Sequence, residues 1–174
     1  VEGRVPSQQS AATRFVHELA MLKVPMGIDV LEAARRRIAW TFDNFERIYL
    51  SFSAGKDSTV MLHLVMEEAK KRNQKIGLLL VDLEAQYKLT IDHAKTCFEM
   101  YRDHVEPYWV CLPISLRNAV SVYQPQWRCW EQSSRDAWVR DYPEGAVTDP
   151  KFFPFFQEGM EFEEFVPLFG EWYS

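Results

Sequence analysis

The run Ile76-Gly77-Leu78-Leu79-Leu80-Val81 carries no polar side chain. A strand with one wet face alternates polar and apolar residues. A strand with none must be covered on both sides, as the central strands of a parallel sheet are. Around this run the period of the pattern changes. Ile48–Phe52 reads as a shorter β-prone run and Val105–Leu112 as a third. Between them Val60, Met61, Leu64, Val65 and Met66, and then Ile91, Ala94, Phe98 and Tyr101, recur at helical spacing. Glu67/Lys71 and Glu68/Arg72 mark the outer side of the first of these helices. Upstream, Asp29 followed by Glu32 has the form of a capping box, and Leu31, Ala34, Ile38 and Phe42 then share a helical face. Alternating helices and strands predict an α/β fold: a three-layer parallel sheet with helices on both faces and right-handed crossovers.

Composition narrows the class. The chain has 174 residues, 47% hydrophobic and 26% charged, which suits a globular core rather than a disordered segment. Its net charge of −5 disfavours generic nucleic-acid binding and leaves a local basic groove as the one route to it. Cys97, Cys111 and Cys129 are odd in number and far apart, so neither a disulfide framework nor a zinc or iron–sulfur site is expected. The apolar runs are too short for a bilayer and the first residues lack a signal-peptide pattern, which predicts no membrane association and a cytoplasmic location. Three regions are expected: an extension over 1–27, an α/β core over 28–115, and an irregular, aromatic-rich insertion or lid over 116–174.

Where the first strand hands over to its helix stands Ser53-Ala54-Gly55-Lys56-Asp57-Ser58. A helix N-terminus offers unpaired N–H groups and about half a positive charge, so this junction is a cradle for an anion. Gly55 is read as the position where the backbone approaches the oxyanion closely. Ser53 and Ser58 supply hydroxyls, Lys56 a mobile cation, and Asp57 either a helix cap or a carboxylate for magnesium. The spacing is neither the Walker-type loop nor the dinucleotide glycine turn. The phosphate-binding set is Ser51, Ser53, Ala54, Gly55, Lys56, Asp57 and Ser58, with Lys56 and Asp57 as catalytic candidates.

This hexapeptide resembles the pyrophosphate loop of the N-type ATP pyrophosphatases, also called PP-loop proteins, whose fold is the adenine nucleotide alpha hydrolase type. Phe52 to Leu64 looks most like the phosphoadenylylsulfate (PAPS) reductase and ATP sulfurylase small-subunit branch, with Ala54 standing where that branch usually has Gly. Trp40–Phe45, Glu84-Ala85-Gln86, Val110–Pro113 and Phe152–Phe155 are similar to PAPS-reductase-like proteins encoded beside a ParB-like nuclease-domain partner. Those proteins run on well past the length of this chain. The resemblance implies ATP, adenosine phosphosulfate or PAPS as substrate, magnesium if the substrate is ATP, and adenine contacts after the first two strands.

Three functions follow as expectations. The first is enzymatic, by adenylylation of the ATP-pyrophosphatase type or by transfer or reduction of a sulfonucleotide's sulfuryl group. The second is a nucleotide-binding sensor or subunit working with the nuclease-like partner. The third is sulfur modification of nucleic acid. An incomplete sheet edge also leads us to expect a homo-oligomer. Asp82 and Glu84, at the end of the second strand, would bind ribose hydroxyls or a magnesium water, or else serve as strand-end capping. Trp127, Trp130, Trp138 and Arg128 would form the small core of the insertion or stack on a base, with the core favoured. Cys129 is read as a packed thiol in preference to a redox thiol activated by the adjacent Arg128; the carboxy-terminal tail cysteine of the reductases has no match here, which argues against thiol-driven reduction by this polypeptide. His63 is read as a packing residue; His93 and His104 have no partner at metal-ligand spacing.

Overall fold

The computed structural model describes residues 27–118 and 122–174; all but the last residue of the expected 1–27 extension lie outside them. Helix α1 spans Val30–Asn44 and opens as expected, with the Glu32 N–H donating to Asp29 Oδ1 at 2.8 Å. Strand β1 is Tyr49–Ser51, helix α2 Lys56–Arg72, strand β2 Ile76–Val81, helix α3 Lys88–Tyr101 and strand β3 Val105–Val110. Asn73, in the left-handed region, ends α2.

The three strands form a parallel sheet in the order β1-β2-β3, with Leu50 opposite Leu78 and Leu78 opposite Pro107. All six residues of β2 are buried, the coverage its lack of polar positions demands. On one face Phe98 of α3 packs against Trp109 of β3, with ring centroids 5.2 Å apart. Helix α2 runs beside α3 and buries Leu62, Val65, Met66 and Ala69. Pro107 sits on an outer strand, where a missing N–H costs no ladder hydrogen bond.

The chain beyond Pro113 is more regular than its sequence suggests. Strands β4 (Ser115–Arg117) and β5 (Gln126–Arg128) pair antiparallel, and short 3-10 turns follow at Gln132–Ala137 and Pro150–Phe152. Helix α4 spans Phe162–Tyr173 and covers the opposite face of the main sheet. Its Phe169 ring lies 5.0 Å from that of Tyr49 and 5.2 Å from that of Tyr108. A capping box between Glu161 and Glu164 starts this helix, and Phe165, Phe169 and Tyr173 line its buried side at fourfold spacing. Pro167 and Gly170 mask that period in the sequence. Among the described residues no helix is long and apolar enough to cross a membrane.

Candidate functional site

The junction of β1 and α2 is a tight circuit of hydrogen bonds. Gly55 N–H donates to Ser53 Oγ at 3.4 Å, Ser53 Oγ lies 3.0 Å from Ser58 Oγ, and Ser58 Oγ donates to the Gly55 carbonyl at 3.0 Å. Gly55 is the N-cap of α2 and no side chain caps the helix there. The first-turn N–H groups therefore face outward at the positive end of a 17-residue helix. Lys56 and Asp57 are exposed beside them. Asp57 does not cap the helix.

The glycine of this loop is not its left-handed residue. Gly55 has an ordinary extended backbone, φ −79°, and an added Cβ would meet only Ser53 Oγ at 3.4 Å. The residue in the left-handed region is Ala54, at φ 58° and buried. That conformation is the reason a Gly suits this position: an L side chain there costs roughly 1 kcal/mol.

Asp82 and Glu84 both turn their carboxylates inward, 1% and 4% exposed. Asp82 Oδ2 accepts from Trp109 Nε1 at 2.7 Å; Oδ1 accepts from the Glu84 N–H at 2.9 Å and pairs with Arg140. Glu84, itself at φ 64°, accepts the N–H of Trp130 at 2.8 Å and of Val139 at 3.3 Å. The two carboxylates thus clamp the 130–140 segment onto the end of β2. Arg140 lies over the Trp130 ring, 4.9 Å from its centroid, and its buried Nε and Nη1 have no hydrogen-bond partner among the described residues.

The aromatic set divides. Trp130 is fully buried against Trp138 and Tyr142, with centroids 5.2 and 4.9 Å away, and so forms the small core of this region. Arg128 pairs with Glu131 and Glu158. Trp127, by contrast, lines an open cleft of about 540 Å³ with Leu83, Ala85, Gln86, Leu116, Arg117 and Asn118. Ser51 is opposite Leu79, so the phosphate loop leaves β1 beside the end of β2 while the cleft opens from Leu83 just beyond it. Another cleft, about 470 Å³ between α3 and the outer side of β3, includes Phe98 and Trp109 but carries no phosphate loop.

No cysteine is positioned to act as a nucleophile. Cys97, Cys111 and Cys129 are all buried. Burial pushes the Cys129 thiol up to about 12, and raises those of Cys111 and Cys97 as well. Cys129 donates to the carbonyls of Leu112 and Ile114.

Residues 47–142 match the family model of the phosphoadenosine phosphosulfate reductase domain. The chain belongs to that family. It is also 47% identical over 157 residues to the uncharacterized protein YbdN of Escherichia coli (strain K12). That match covers 90% of this chain but 38% of YbdN, so the chain spans well under half the length of the relative. The PAPS reductase domain match contains the phosphate loop, the Asp82–Glu84 clamp and the Leu83–Trp127 cleft.

Two residues outside the expected set also belong to this site. Thr59 Oγ1 donates to the Gly55 carbonyl at 2.8 Å and lies 2.9 Å from His93 Nε2. One signal for them was in the sequence: His93, Cys97 and Tyr101 recur at fourfold spacing, so α3 presents all three along one line. What that line meets on α2 is a matter of packing.

Proposed function

We propose that this PAPS-reductase-family chain binds an adenine nucleotide, with its phosphates on the Ser53–Ser58 loop and its base in the Leu83–Leu116–Trp127 cleft. The observation that carries the reading is the uncapped start of α2, ringed by two hydroxyls and Lys56. The cleft adds a planar apolar wall from Trp127 and one cation, Arg117.

Of the two reactions the family resemblance allows, attack at the α-phosphorus of ATP suits these residues better. A nucleophile forms a bond to that phosphorus, the bond to the bridging oxygen breaks, and pyrophosphate leaves with the electron pair. Lys56 and the first N–H groups of α2 offset the growing charge, and the Ser53 and Ser58 hydroxyls add to them by turning from their contacts within the loop to the phosphate; one such donor is worth roughly 3 kcal/mol in a transition state. Magnesium would ride on the nucleotide, with Asp57 the carboxylate placed to hold one of its waters. Reduction of a sulfonucleotide would take its thiol from outside these residues, because Cys97, Cys111 and Cys129 are buried.

A second reading is nucleotide binding without turnover, in a subunit that reports to a ParB-like nuclease-domain partner or to another copy of the chain. The internal engagement of Asp82 and Glu84 favours it, because the strand end then offers no exposed acid or base.

Calorimetry with ATP, adenosine phosphosulfate and PAPS, each with magnesium, tests both readings. Wild type should bind ATP, and Lys56→Ala with Asp57→Ala should abolish binding. Pyrophosphate release would support the enzyme; binding without release would support the sensor. Preference for a sulfonucleotide would overturn the choice of ATP, and binding unaffected by the double substitution would remove the loop from the site.

A further inference from the structure

We infer that His93 is a positioning residue for the phosphate loop: through Thr59 it locks the Gly55–Lys56 peptide so that the Lys56 N–H faces the bound anion. The inference rests on the reading of Ser53–Ser58 as the phosphate site.

The Gly55 carbonyl is held by three donors. Gly55 O accepts from the Thr59 N–H at 2.9 Å, from Thr59 Oγ1 at 2.8 Å and from Ser58 Oγ at 3.0 Å. A trans peptide is planar and carries its C=O and following N–H on opposite sides. Holding the Gly55 oxygen against the first turn of α2 therefore aims the Lys56 N–H out of the helix end, where a phosphate oxygen would sit. Were this peptide to rotate, the loop would present a carbonyl to the phosphate in place of a donor.

The hydrogen count then assigns a role to His93. Thr59 has a single hydroxyl hydrogen, and the Gly55 carbonyl takes it. With that hydrogen on the Gly55 carbonyl, the contact between Thr59 Oγ1 and His93 Nε2 at 2.9 Å is assigned as a donation from the imidazole in its Nε2–H tautomer. Cys97 Sγ, one turn along α3, lies 3.6 Å from the same nitrogen and is a second, weaker acceptor for it. His93 thus reaches across from α3 and holds the threonine hydroxyl in the rotamer that serves the loop. The next brace between the two helices, His63 Nδ1 with Tyr101 Oη at 2.5 Å, lies a turn further along α2 and does not touch the loop.

The backbone beside this peptide explains why a brace is needed. Ala54 stands at φ 58°, a conformation an alanine does not favour by itself. A strained residue persists only where its surroundings hold it. Ser53 and Ser58 grip the loop from its own strand and helix, and His93 adds a contact from a separate element.

The test uses His93→Phe, which keeps an aromatic ring and removes the donor; His93→Gln, which restores an N–H; Thr59→Val, which keeps the shape and removes the hydroxyl; and the His93→Phe/Thr59→Val double variant. Inorganic pyrophosphate and ATP are the probes, by calorimetry. His93→Phe and Thr59→Val should each weaken binding about tenfold, the scale of one lost hydrogen bond. The double variant should be no weaker than either single, because both break the same link. His93→Gln should recover most of the affinity, which loss of packing would not allow. In the unliganded protein, His93→Phe should speed exchange of the Thr59 amide and leave that of Met66 unchanged. The inference is overturned if His93→Phe binds like wild type, if the two losses multiply, or if Thr59 exchange is unaltered. Should wild type bind neither probe, the phosphate-site reading fails by itself, and the exchange measurement still decides whether His93 braces the loop.

Discussion

Ala54 and Asp82 show how much single positions carry in this molecule. Ala54 occupies backbone space that glycine enters freely, so Ala54→Gly removes steric strain at the cost of a looser unfolded chain. The substitution is expected to stabilise the fold by about 0.5–1 kcal/mol. A denaturant midpoint that rises with an unchanged slope would show it; a lower midpoint would mean that the methyl group packs better than its backbone suffers. Asp82 is the opposite case, a buried carboxylate whose partners are Trp109, Arg140 and the Glu84 N–H. Asp82→Asn leaves the Arg140 guanidinium in the interior without its counter-charge, and should cost about 3–5 kcal/mol. Thermal unfolding measures this, and nucleotide affinity of the folded protein should be retained. A variant of normal stability that had lost nucleotide binding would return Asp82 to the ligand.

At the scale of elements, the closeness of α4 to the sheet depends on what is missing from Gly77. A Cβ at that position would lie 2.9 Å from the Tyr173 ring and 3.0 Å from Tyr49 Cβ. Real Cβ atoms do not come so near, so Gly77→Ala must push α4 outward or shift β1. The expected loss is about 1–3 kcal/mol, and the Tyr173 ring, with Arg47 4.2 Å above it, should become more exposed. Near-ultraviolet dichroism follows that aromatic cluster; an unaltered spectrum and stability would show that α4 does not bear on β2 as tightly as the distances imply. The pair α2–α3 has a different task. Its amino-end turns carry Thr59 and His93, which is how packing on one face of the sheet reaches the loop.

For the molecule as a whole, proton uptake links the buried thiols to stability. A free thiol ionises near pH 8.5 in the unfolded chain, whereas burial pushes Cys129 up to about 12 and moves Cys97 and Cys111 in the same direction. Below the unfolded value both states hold the proton and stability is unaffected. Above it the unfolded state loses the proton first, so stability falls as pH climbs from about 8.5 towards the folded value. Urea unfolding at pH 7.5, 9 and 10 should show a falling midpoint. Alkylation by iodoacetamide should be negligible in the native protein and complete in urea. A thiol that reacted rapidly in the native state would reopen the reductive chemistry set aside above.

The sequence alone determined the parts whose causes are local. An apolar run has to be a buried strand, and a Ser/Gly-rich turn between strand and helix has to expose helix N–H groups. For that reason Ile76–Val81 and the Ser53–Ser58 loop were legible, and with them the α/β class. Helix α4 was obscured, because Pro167 and Gly170 interrupt a period that only the burial of Phe165, Phe169 and Tyr173 restores. Tertiary structure decided everything that depends on what a side chain meets. Asp82 and Glu84 stand at a strand end where carboxylates could face a ligand, yet Trp109, Trp130, Val139 and Arg140 arrive from distant sequence to engage them. Which residue of the loop is left-handed is a property of backbone angles, not of composition. The pairing of Thr59 with His93 exists only because α2 and α3 lie side by side, and spacing along one chain does not encode the distance between two helices.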